Sequence, residues 1–142
     1  MASVLINIDV PLLDPAITFY TRAFGLKPKR YFGTGGVELA GAEVSIFLLV
    51  KGSGSASHKD AKFGRDYGRH WTPVHLDFVV DDIRAAIARA ESAGAVRESD
   101  VRDDTWGKLV LFSDPFGNGF CFVEFSARGY DAVSTPAPNA QR

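Results

Sequence analysis

The chain repeats itself. VLINIDVP followed by LLDPAITFYTRAFGL returns as PVHLDFVV followed by DDIRAAIARAESAGA, and the two copies run on through strand-like pieces to EVSIFLLV and GFCFVEFS. Matching Ile17 with Ile87 sets Leu5 against His75, Asn7 against Asp77 and Asp9 against Val79. Each copy opens on a strand and continues into one amphipathic helix, with Ile17, Tyr20 and Phe24 at helical spacing in the first and Ile83, Ala86, Ile87 and Ala90 in the second. Asp14–Pro15 and Asp81 or Asp82 are the expected helix starts, and Gly25 and Gly94 the expected stops. Further strands are predicted over about 27–33, 36–40 and 43–50, then 95–102, 105–113 and 119–126, with SDPFGNG as the clearest turn. A βαβββ unit of this size buries too little to stand alone, so two must pair, within the chain or across a dimer.

The expected organisation is a first βαβββ module over 1–50, a flexible connector over 51–72, a second module over 73–126 and a loose tail over 127–142. Ile6, Ile8 and Val10, and likewise Leu76, Phe78 and Val80, form the strand faces that the helices cover. The opposite faces are expected to carry Leu5, Asn7 and Asp9, then His75, Asp77 and Val79, then Phe120, Phe122 and Glu124. If the sheets curl, these faces line one concavity, to which Trp106 and Lys108 also point. The bland reading of the same residues is structural: His75 bonds Glu124 or Asp77 across the sheet, Asp9 and Asp77 bond backbone or an arginine, and the aromatic rings are core. Phe120 and Phe122 would favour an apolar or aromatic ligand.

Composition narrows the partners. A formal charge of −1 and a pI near 6.3 give no electrostatic footprint for nucleic acid or an anionic membrane. No apolar run is long enough to cross a bilayer, and MASVLINIDVP enters strand alternation at once without the basic start of a signal peptide. The single Cys121 has no intrachain partner and reads as a small buried hydrophobe. A cytoplasmic location is the expectation. Lys59, Lys62, Arg65 and Arg69 are interleaved with acids and read as a solvated loop face.

IDVPLLDPAITFYTRAFGL, HWTPVHLDFVVDDIRAAIARAESAGA and WGKLVLFSDPFGNGFCFVEF together resemble the vicinal oxygen chelate superfamily, which includes glyoxalase I, extradiol dioxygenases, fosfomycin-resistance enzymes and bleomycin-binding proteins. The resemblance implies an α+β fold of two βαβββ modules forming curved mixed sheets around a cavity. It also implies a divalent ion, Fe, Mn, Ni, Co or Zn, with His75 at a first-strand ligand position and Glu124 at a last-strand one. Such an ion polarises a carbonyl or enolate oxygen or binds two neighbouring oxygens. The first module departs from the pattern, because Leu5 replaces one ligand and Leu48 or Leu49 stands where a glutamate is expected. Two readings therefore remain open. One is a metal-assisted lyase or dioxygenase in which His75 and Glu124 act and Asn7, Asp9, Asp77, Trp106, Lys108, Phe120 and Phe122 contact a small molecule. The other is a binder without metal, of the bleomycin-resistance type. A homodimer is expected in either case.

Overall fold

The computed structural model describes residues 1–138. Both repeats take up the βαβββ plan. The first runs β1 (Ile6–Val10), α1 (Leu13–Phe24), β2 (Lys27–Tyr31), β3 (Gly36–Ala40) and β4 (Ile46–Val50). The second runs β5 (Leu76–Val79), α2 (Ile83–Ala93), β6 (Val96–Arg97), β7 (Arg102–Asp104), β8 (Gly107–Ser113) and β9 (Gly119–Phe125). Each first strand lies parallel to the last strand of its own module, giving the orders β1-β4-β3-β2 and β5-β9-β8-β6, with β7 on β8. The result is the α+β arrangement of two mixed sheets expected from the repeat.

Local chemistry explains the helix ends. Asp82 caps α2, its side chain accepting from the Arg84 and Ala85 amides. Gly25 and Gly94 end the two helices in the left-handed region, where a Cβ is costly. The start of α1 differs from the expected cap: Leu12 is the N-cap residue and Asp14 sits inside the first turn, where its charge favours the helix dipole. The predicted strand over 95–102 breaks after Arg97, where Arg97 Nε and Ser99 Oγ bond backbone carbonyls, and resumes as β7.

The helices meet each other, and one continuous core runs through both modules. Phe19, Tyr20 and Ala23 of α1, Ile83, Ala86 and Ala90 of α2, and Val10, Leu48, Phe112 and Phe122 of the sheets are all buried in it. Phe24 stacks on Phe78 at 4.0 Å, joining the modules through aromatic surface. A buried polar contact crosses the same junction: the Tyr20 hydroxyl donates to Asp114 Oδ2 at 2.7 Å, and Asp114 also accepts from the Phe116 and Asn118 amides and the Asn118 side chain. The core uses one face of each sheet. The other face of each sheet, its open face, carries exposed Asn7 in the first and Asp77 and Val79 in the second, although Glu38, Cys121 and Val123 on those faces are buried, and β1 and β5 are edge strands.

The connector is a built structure. Arg65 Nε donates to Asp9 Oδ2 at 2.6 Å, reaching the open face of the first sheet, and its Nη1 donates to the Ala56 carbonyl. Arg69 makes a two-point pair with Glu98, at 2.8 and 2.9 Å, on the second module. The SDPFGNG turn is shaped to this path: a Cβ at Gly117 would lie 2.5 Å from the Tyr67 carbonyl oxygen. Two of the four connector cations expected to face solvent are thus engaged, because a carboxylate of each module meets them.

Candidate functional site

His75 immediately precedes β5 and shares its open face with Asp77. The parallel register sets Asp77 opposite Cys121 of β9, so all three side chains converge. His75 Nε2 lies 3.2 Å from Asp77 Oδ1, and one donor atom from each of His75, Asp77 and Cys121 falls within 4.8 Å of the others. Cys121 is buried, while His75 and Asp77 are exposed. Burial pushes the Cys121 thiol up to about 11, and the neighbouring Asp77 carboxylate adds to the shift. The thiol is therefore protonated near neutral pH. Imidazole, carboxylate and thiol from one side are a donor set that fits a divalent ion with positions left open, and the sulfur selects zinc or cobalt over manganese. The ion's charge would have to displace the thiol proton.

Other expected site residues fall elsewhere. Glu124 does not meet His75. Its Oε2 accepts from the Ile83 amide at the start of α2, and its Oε1 lies 3.6 Å from Lys108 Nζ, on the core side of the sheet. Lys108 goes with it, directly opposite on β8. Phe120 and Phe122 also face the core, since the register puts them beside Leu76 and Phe78, where both rings pack on Phe24. Trp106 lies in the β7–β8 turn and packs against Tyr130 and Phe125, tying down a short 3-10 helix over Gly129–Ala132 in the expected loose tail. Asn7 and Asp9 lie on the open face of the first sheet, Asn7 opposite Phe47 and Asp9 paired to Arg65. The first-module counterpart of Cys121 is Phe47, because Phe47 faces Asn7 as Cys121 faces Asp77; Leu48 is core.

A cavity of about 200 Å³ opens beside the cluster, with His75, Cys121 and Leu111 on the sheet side and Trp71 and Thr72 on the connector side. The Arg69–Glu98 pair closes one end. Hydrogen bonding by Arg69 holds the Glu98 carboxyl below its usual value. A larger cleft of about 660 Å³ separates the modules between β1 and β5, with Ile6, Phe24, Ile46, Leu76 and Phe78 among its walls and Arg89 at its rim. Sequence reasoning missed Cys121, Arg69 and Trp71 as site residues. One signal was available for Cys121: superposing the last strands of the two repeats sets Phe47 against Cys121, so the alternation that buries Ile46 and Leu48 also buries Phe120 and Phe122.

Comparison with known proteins agrees with this architecture. The family model described as a glyoxalase-like domain matches residues 5–123. Among solved structures, the fosfomycin resistance protein FosX of Listeria monocytogenes superposes with a TM-score of 0.69 at 15% identity, over 89% of this chain and 93% of that one. Lactoylglutathione lyase of Agrobacterium tumefaciens gives 0.61 at 20%, over 87% and 92%. A glyoxalase/bleomycin resistance protein/dioxygenase family enzyme of Burkholderia phytofirmans gives 0.65 at 17%, over 86% and 97%. No curated protein sequence matches significantly. No helix among the described residues is long and apolar enough to cross a membrane. With the duplicated modules, the open sheet faces and the family match all in place, the chain belongs to the glyoxalase-like domain family of the vicinal oxygen chelate superfamily.

Proposed function

We propose that this protein binds a small oxygen-bearing organic molecule on the open face of its second sheet, beside a divalent metal held by His75, Asp77 and Cys121. The convergence of those three donor atoms within 4.8 Å carries the reading. When bound, a zinc-like ion acts as a Lewis acid, polarising a carbonyl or enolate oxygen at an open coordination position. The chain's own groups supply the rest. His75 and Asp77 orient each other through their 3.2 Å contact, and Leu111 lies across the strand pair from the buried Cys121. A lyase acting next to a carbonyl is the matching reaction class, with the acid–base pair of His75 and Glu124 replaced by the His75–Asp77–Cys121 group; ring cleavage by dioxygen would need a redox-active ion in place of zinc. A reducing cytoplasm suits a site that depends on a free thiol. The family match and the resemblance to lactoylglutathione lyase support the enzyme reading without naming a substrate.

A second reading, sequestration without metal, is favoured by one observation: the first sheet presents Asn7, Phe47 and Leu49, with Leu5 just before β1, where metal ligands would be needed to complete a shared site. A homodimer fits both readings, since β1 and β5 carry unpaired edges flanked by exposed Leu5, Val74 and Val79.

Metal titration of the purified protein separates the readings. Zinc or cobalt is expected to bind one per chain and raise the melting temperature, and His75→Ala and Asp77→Ala are each expected to weaken binding at least tenfold, on the order of losing one ligand. A protein that takes up no stoichiometric metal leaves the sequestration reading. A monomeric mass by light scattering at micromolar concentration refutes the dimer.

A further inference from the structure

Cys121 is buried although it lies on the outward face of β9 and the side chains opposite it, Asp77 on β5 and Leu111 on β8, are both exposed. What stands over it is the connector, whose Arg69, Trp71 and Thr72 border the same cavity. That stretch is seated on the sheet rather than packed into it. Not one residue of 51–75 is buried, and Trp71 stands in solvent. A Cβ at Gly119, two residues before Cys121 on the same face, would lie 2.6 Å from Arg69 Nη2 and 2.9 Å from Cζ and Nη1, so the missing side chain makes room for the guanidinium. The hold is uneven along the chain. Arg65 is fixed by Asp9 and by its own backbone, which pairs with Gly54 and Ser55 at 2.7 and 2.9 Å, and the Tyr67 hydroxyl donates to the Lys51 carbonyl. Over residues 68–74 no backbone-to-backbone hydrogen bond ties the chain to either sheet among the described residues, and the side-chain bonds of His70 and Thr72 stay within the stretch. Its one ion pair to the second module, among the described residues, is Arg69–Glu98, made through an arginine side chain that is 40% exposed.

We infer that residues 68–74 form a gate over Cys121 and that the Arg69–Glu98 pair is its latch. The stretch lifts from Gly119 while both modules stay folded, and that opening sets how fast a small molecule or ion reaches the thiol. A segment that buries so little and hangs on one exposed ion pair belongs to the low-stability end of a domain, because neither apolar burial nor a ladder of backbone bonds opposes its release. The fixed end at Arg65 and Tyr67 keeps the motion local. The gate serves the site proposed above, and alkylation of metal-free protein tests it whether or not an ion binds there.

The test is the rate at which iodoacetamide, an uncharged reagent, alkylates Cys121 in metal-free protein at one fixed pH. Arg69→Ala should speed the reaction about two- to fivefold, the range for losing one exposed ion pair. Charge alone acts in the opposite direction, since removing a cation near a thiol disfavours the thiolate and slows alkylation. Gly119→Ala keeps every charge and should also speed it, by placing a methyl group where the guanidinium sits. About 0.5 M sodium chloride should speed the wild-type reaction and leave Arg69→Ala unchanged. In the wild type the rate should stay nearly flat in low urea and climb steeply only at the global transition, the mark of a local opening. Rates unchanged or slowed in both variants overturn the inference. So does a wild-type rate that tracks global unfolding from the lowest urea, or an acceleration in the variants matched by an equal loss of global stability.

Discussion

Replacing Tyr20 by phenylalanine should loosen the junction between the modules while leaving every apolar contact in place. The hydroxyl and Asp114 are each only 3% exposed, and their 2.7 Å bond is one of four that the carboxylate accepts. Two amides hold Oδ1, and the Asn118 side chain shares Oδ2 with Tyr20. Phenylalanine leaves Oδ2 one partner, so the loss is that of a single charge-assisted bond, about 1.5–3 kcal/mol. In a domain of this size that corresponds to roughly 3–12 °C in melting temperature. Asp114→Ala strands several donors at once and should cost more, about 3–5 kcal/mol. Urea unfolding of both single variants and the double variant gives the coupling directly, and a value below about 0.5 kcal/mol would refute the claim that this bond links the modules. The bond also fixes an alkaline limit. Burial, then the Asp114 charge, raises the Tyr20 pKa well above its ordinary value, so its stabilising effect is complete below about pH 10 and is lost as pH climbs towards the raised value. Tyr20→Phe should lose that part of the alkaline destabilisation.

Three other outcomes follow from single contacts. Cys121, with its thiol at about 11, should react with iodoacetamide slowly at pH 8 and about tenfold faster per pH unit up to that value; fast reaction at pH 8 in folded protein would contradict its burial. Asp82→Ala should cost about 1 kcal/mol by removing the α2 cap, measured by urea unfolding, and Asp82→Asn should restore most of it. Glu124→Gln should destabilise the protein by up to about 1–2 kcal/mol through the start of α2 without altering zinc affinity, whereas a loss of zinc binding would return Glu124 to the site.

Much of the fold could be read from the chain because the repeat exposes its own logic. Gly25 and Gly94 stop two helices for one stereochemical reason, and the His75–Asp77 face follows from alternation within a single strand. The last strand could not be read the same way. Its alternation is clear, but which set faces the core depends on register against β5, a non-local property. Phe120 and Phe122 therefore changed faces, taking Glu124 with them and bringing Cys121 to the face of His75 and Asp77. The connector was opaque for a related reason: Arg65 and Arg69 find carboxylates far along the chain, on Asp9 and Glu98, and local charge alternation carries no trace of that.

The central claim is that Cys121 joins His75 and Asp77 in one metal site. Cobalt(II) titration followed by absorption spectroscopy tests it most directly, because a coordinated thiolate produces a ligand-to-metal charge-transfer band in the near ultraviolet. The band is expected in the wild-type protein at one cobalt per chain, and its loss in Cys121→Ser should accompany retained folding. Cobalt binding without that band, or an identical spectrum in Cys121→Ser, would contradict the account.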